Sequence, residues 1–87
     1  MKIKKGFVIR KVGEESLVVP VGAMSKTFHG MIKLNVTGEF LWNFYTTEHS
    51  IDDGVEALLD AFDVEEVLAR TDVTRFVDTL LKNGFAA

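Results

Sequence analysis

The chain of 87 residues carries two histidines, His29 and His49, thirteen Asp and Glu side chains, ten Lys and Arg, and no cysteine. Acid–base, nucleophilic or metal chemistry would have to draw on this stock. Neither imidazole has a Ser, a Cys or a second His at the spacing of a nucleophile–base pair or of a metal-ligand set. A lone histidine of this kind is ordinarily solvated or structurally satisfied. Without cysteine there is no thiolate nucleophile, no disulfide and no cysteine-ligated metal. The carboxylates fall on helix exteriors and in first turns, as with Asp52 and Asp53, where solvation and the helix dipole account for them. The glycines at 6, 13, 22, 30, 38, 54 and 84 are scattered and form neither a phosphate loop nor a dinucleotide fingerprint. The expectation is a protein that is not an enzyme, with no catalytic residue, no cofactor and no metal.

What remains is charge and exposed backbone. Residues 1–35 hold seven basic against two acidic side chains, a balance of +5, whereas residues 36–87 hold three against eleven, a balance of −8. One reading is that a basic sheet and acidic helices keep each other soluble. The other is a basic strand edge that attracts an acidic peptide, because complementary potential speeds encounter more than it raises affinity.

The elements that would position such an edge can be read along the chain. A hydrophobic fraction of 47% and a charged fraction of 26% describe one ordinary globular domain over residues 1–87. No apolar run approaches the ~20 residues needed to span a bilayer, and Met1-Lys2-Ile3-Lys4-Lys5 lacks the apolar core of a signal peptide. A cytoplasmic protein without membrane contact is expected. Phe7 to Val12 and Leu17 to Val21 flank Gly13-Glu14-Glu15-Ser16, which is a hairpin pattern. Pro20 has no N–H and belongs near the end of its strand or facing an unpaired side. Residues Gly22 to Gly30 make a looser connection. A third strand, His29 to Leu34, puts Ile32 and Leu34 on the core face and Met31 and Lys33 on the other. Its outer edge is exposed, so Lys33 either blunts unwanted pairing or lies beside a site where an extended peptide adds a strand.

The strand ends at Leu34-Asn35-Val36-Thr37-Gly38, where Asn35 is a helix N-cap. The helix that follows, about Val36 to Thr46, is apolar over most of its circumference and buried on several sides, with Trp42 off the main stripe and partly exposed. Ser50 caps a second helix, in which Ile51, Val55, Leu58, Leu59 and Phe62 recur at helical spacing. Leu34, Phe40, Leu41, Leu58, Phe62, Phe76 and Leu80 are the expected core. The third helix has a capping-box-like start at Asp63-Val64-Glu65-Glu66 and a stop at Asn83-Gly84. Its apolar stripe changes sides: Val64, Val67, Leu68 and Thr71 share one face, and Ala69, Val73, Phe76, Val77 and Leu80 the opposite one. Two explanations stand. Either the helix breaks, with Thr71 capping a new one at Asp72, or one continuous helix turns its first stripe toward a groove.

The β-β-β-α-α-α order, the Leu-Asn-x-Thr-small corner and the closing pattern Asp72-Val73-x-x-Phe76-Val77-x-x-Leu80-x-x-x-Gly84-Phe85 resemble the PqqD-like family. These are small winged-helix domains that recognise precursor peptides for enzymes modifying ribosomally made peptides. The resemblance runs from about Phe7 to Phe85. It implies an α+β, winged-helix-like fold with a three-stranded antiparallel sheet followed by three helices. It also implies a precursor leader peptide as ligand, bound between the third strand and the third helix, and a peptide-modifying enzyme such as a radical S-adenosylmethionine protein as partner. Transferred to this chain, the backbone of His29, Gly30, Met31, Ile32, Lys33 and Leu34 would pair with the peptide. Leu68 and Thr71 would support its apolar side chains, and Lys33 and Arg75 would meet its carboxylates. The family's archetype assists pyrroloquinoline quinone synthesis, and relatives of the fold serve lasso and other modified peptides. The exposed edge and the long connection before it also suit an edge-paired or strand-exchanged homodimer. The alternatives are a structural protein–protein interaction domain and a winged-helix DNA reader. Against DNA, residues 63–83 carry five acidic and three basic side chains, so the helix that would meet phosphate has a balance of −2.

Overall fold

The computed structural model describes all 87 residues. Strands β1 (Phe7–Val12) and β2 (Glu15–Pro20) form a hairpin in register from Val12↔Glu15 to Phe7↔Pro20. Gly13 occupies the first central position of the two-residue turn at φ +65°, where the type II′ geometry that matches strand twist favours glycine. Strand β3 (Ile32–Leu34) pairs antiparallel on the other side of β2, giving the order β1-β2-β3. The sheet is the expected three-stranded antiparallel one, and three helices follow it.

The turn also dictates which way each backbone group points. A two-residue hairpin closes with a doubly bonded pair, here Val12 and Glu15, and bonded pairs then alternate along the ladder. Glu15, Leu17 and Val19 therefore face β1, and Ser16, Val18 and Pro20 face β3. Pro20 has no N–H to offer residue 30, so pairing stops at Ile32. The third strand is thus shorter than the expected His29 to Leu34. His29, Gly30 and Met31 lie outside it, and Gly30 sits beneath the Phe28 ring, where a Cβ would come 2.9 Å from Cζ. Phe28 is held in an aromatic cluster, 4.9 Å from Phe7 and 4.8 Å from Phe85 between centroids. The Gly22 to Gly30 connection contains an element absent from the sequence reading, the four-residue helix α1 (Met24–Thr27).

Helix α2 (Val36–Phe44) starts where expected, with Asn35 Oδ1 accepting the Gly38 N–H at 2.8 Å. Trp42 corrects one expectation: it is only 4% exposed. The rings of Phe7 and Phe85, from opposite ends of the chain, each meet it edge-on at 6.1 Å. Glu39 fastens α2 to the sheet by accepting from the buried Ser16 hydroxyl at 2.9 Å and from Lys11 at 3.0 Å. These two bonds, Lys11 first, hold its carboxyl below the usual range. Helix α3 (Ile51–Ala61) begins with a full capping box between Ser50 and Asp53. The backbone N–H of Ser50 is the main reason that the Asp53 carboxyl is also lowered.

Helix α4 (Glu66–Lys82) is continuous. Thr71 sits in mid-helix and donates its hydroxyl proton to the Val67 carbonyl at 3.0 Å, so the proposed break with a Thr71 cap does not occur. The N-cap is Glu65, without a side-chain cap bond, in place of the box expected at Asp63. Ala69, Val73, Val77 and Leu80 are buried, whereas Val67 and Leu68 are 75% and 57% exposed. Leu34, Leu41, Leu58 and Leu80 are buried as expected, but Phe40, Phe62 and Phe76 are only partly so. Phe40 and Phe62 pack edge-on against each other at the margin of the core, and Phe76 lines a groove described below. The ends of the chain close the structure through the Ile3↔Ala86 bridge. No helix is long and apolar enough to cross a membrane.

Candidate functional site

The alternation along β2 carries into β3. Ile32 and Leu34 turn their N–H and C=O groups toward β2 through the pairs Val18↔Ile32 and Ser16↔Leu34. Lys33 therefore turns its N–H and C=O toward the open edge, and Met31 does the same just before the strand. Asn35 remains extended at φ −83°, ψ −174°. Its carbonyl is taken by the Glu39 N–H at 2.9 Å.

Opposite this edge stands α4. Between them lies a groove of about 550 Å³, whose strand side runs from Met31 to Asn35. Phe76 forms its apolar floor, backed by the buried Leu41 and Leu80, and Asp72, Arg75 and Thr79 form the helix wall. Gly38 is also part of the lining, and the corner is tight there: a Cβ would come 3.0 Å from Asn35 Oδ1. The charges at the rim differ in availability. Lys33 Nζ is 3.5 Å from Glu15, and both side chains are exposed, which makes a weak and exchangeable pair. Arg75 has no carboxylate within ion-pair distance, whereas Arg70 is bound to Asp52 at 2.8 Å and Lys82 to Asp78 at 3.0 Å.

Of the residues singled out from the sequence, Met31, Ile32, Lys33, Leu34 and Arg75 line this groove. His29 and Gly30 do not. Thr71 belongs with Arg75 to a shallow relief along the outer face of α4 that only this helix lines. Leu68 is exposed but, contrary to expectation, lines neither the groove nor that relief, because it lies a full turn before Asp72, the first groove residue of α4. The sequence reading missed Asp72 and Thr79 as wall residues and Phe76 as the floor. Their spacing was visible, but the side of α4 that faces β3 was not. The histidines are apart: His29 is exposed, and His49 stacks on Phe44 at 4.0 Å with Nδ1 3.6 Å from Asp53.

The family described as Coenzyme PQQ synthesis protein D (PqqD) matches residues 15–86. The chain belongs to this family. Among solved structures, it is similar to "TbiB1 in Complex with the TbiA(beta) Leader Peptide", with a TM-score of 0.72 at 18% sequence identity. That alignment covers 98% of this chain and 93% of the other. At this identity the likeness establishes the fold. No curated protein matches the sequence.

Proposed function

We propose that this protein is a non-catalytic adaptor that binds the leader of a ribosomally made precursor peptide and presents it to a modifying enzyme. The observation that carries the reading is an unpaired strand edge directly beside an apolar-floored groove. An extended peptide that adds to β3 gains main-chain hydrogen bonds from Lys33 and Met31 while its side chains enter the groove. Strand β1 is also an edge, but the groove beside β3 has no β1 residue in its lining. Family membership supports the same role, as does the leader peptide bound by the TbiB1 structure. The partner enzyme is of the radical S-adenosylmethionine or another peptide-modifying class, and the cytoplasm is where such a pair would meet its nascent substrate.

Lys33→Pro tests the reading. Because the Lys33 N–H faces the open edge, proline there removes one edge donor and leaves the two bonded pairs to β2 in place. The variant is expected to fold, as judged by an unchanged far-ultraviolet dichroism spectrum, and to lose affinity for leader peptides encoded beside its gene. Wild-type affinity in the folded variant refutes strand addition at β3. If the variant does not fold, a leader N-methylated at successive backbone positions asks the same question of the wild-type protein. A DNA-reading role is not favoured, since α4 is electrically balanced and two of its three cations are already paired.

A further inference from the structure

We infer that the site reads its peptide with a two-residue period, taking an acidic residue between two apolar ones, and that Lys33 selects the acidic residue. The inference rests on the proposed strand addition at β3 and goes on to specify the sequence that fits. In any added strand, each residue places its side chain on the same face of the sheet as the β3 residue beside it. Peptide residues beside Ile32 and Leu34 therefore point inward. There they meet Phe76, which keeps exposed surface above the buried Leu41 and Leu80, an environment that favours aliphatic or aromatic side chains.

The peptide residue between them lies beside Lys33 and points to the opposite, solvent-facing side of the sheet. Lys33 Nζ is on that side because its partner Glu15 is: Glu15 and Leu17 share a face of β2, and Leu17 is the register partner of Lys33. Arg75 belongs to the groove wall. The two cations consequently read opposite faces of the added strand, and one carboxylate cannot serve both. An acidic residue between the apolar anchors is taken by Lys33, and a carboxylate for Arg75 must lie at an anchor-phase position. The existing Lys33–Glu15 pair does not prevent this. Its side chains are 72% and 59% exposed, so exchanging one carboxylate for another costs little.

The test is a display selection of random 12-residue peptides on the intact wild-type protein and on Lys33→Glu, with Lys33→Gln as a neutral control. The expected wild-type consensus has apolar residues at i and i+2 and Asp or Glu at i+1. In the Lys33→Glu selection the i+1 residue changes to Lys or Arg while i and i+2 stay apolar, and in Lys33→Gln the i+1 preference is lost. In the best wild-type peptide, neutralising i+1 weakens binding by about two- to fivefold, the scale of an exposed ion pair. Amide mapping of each selected peptide separates the two levels of the claim. Peptides that perturb β3 and α4 but show an i, i+3, i+4 pattern, or an i+1 preference indifferent to position 33, overturn this inference and leave strand addition at β3 intact. Selected peptides that perturb neither element overturn the proposed site itself.

Discussion

Phe76→Ala separates groove from core. Phe76 is half-buried, stacks at 6.5 Å on the Tyr45 ring, and turns its remaining surface to the groove. Truncating a fully buried Phe costs ~3–5 kcal/mol, and the partial exposure of Phe76 places its cost toward the lower end of that range, about 2–4 kcal/mol. A domain of this size is stable by roughly 4–13 kcal/mol on the usual per-residue range, so the variant remains folded. Urea unfolding followed by the single, buried Trp42 measures the cost, with an unchanged m-value showing that only stability has moved. Peptide affinity should fall about five- to thirtyfold, equivalent to ~1–2 kcal/mol of lost apolar contact. Val73→Ala is the matched control, because Val73 is fully buried and lines no part of the groove. It should lose stability and keep affinity. A Phe76→Ala variant that loses more than about 4 kcal/mol, or binds like the wild type, refutes the assignment of Phe76 to the groove floor.

Three further outcomes follow from particular contacts. Gly54→Ala should destabilise by about 1–2 kcal/mol despite a helix-propensity gain of ~1 kcal/mol, because the new Cβ would overlap the Tyr45 hydroxyl and come 2.9 Å from Val73 Cγ1; a rise in melting temperature would show that α3 and α4 are not so closely packed. The phenol of Tyr45, the only tyrosine, is pushed up to about 12 by burial and then by the charge of Asp53. Its folded value exceeds its unfolded one, so its contribution to stability is complete below about pH 10 and is lost as pH rises toward 12; a tyrosinate absorbance midpoint near 10 in the folded protein contradicts this. Random duplex DNA should bind negligibly at physiological ionic strength, while an acidic peptide should associate more slowly as salt rises; submicromolar duplex affinity would make the winged helix a DNA reader.

What was legible in the sequence is what local chemistry decides. Asn35 and Ser50 announce their helices because capping is a contact within three residues, and Ile32 and Leu34 declare the core face of β3 by simple alternation. The continuity of α4 was not decidable, since both of its stripes are apolar and only the docked core shows that Ala69 to Leu80 is the one used. Trp42 misled for the same reason: its cover comes from Phe7 and Phe85, distant in sequence. The third strand is shorter than its own sequence suggests because the missing N–H that ends it belongs to Pro20 on a neighbouring strand. The strand side of the groove could therefore be named residue by residue except at its start, whereas the wall on α4 depended on a rotation about the helix axis that tertiary packing sets.

The most direct measurement of the central claim is the backbone-amide map of the isotope-labelled protein titrated with a leader peptide encoded beside its gene. Strand addition at β3 predicts the largest perturbations at Met31, Lys33 and Asn35, with slowed hydrogen exchange of the Lys33 amide, and a second group along α4 from Asp72 to Leu80. Perturbations concentrated on the β1 edge, Phe7 to Val12, or on α3, with Lys33 exchanging as in the free protein, would contradict it.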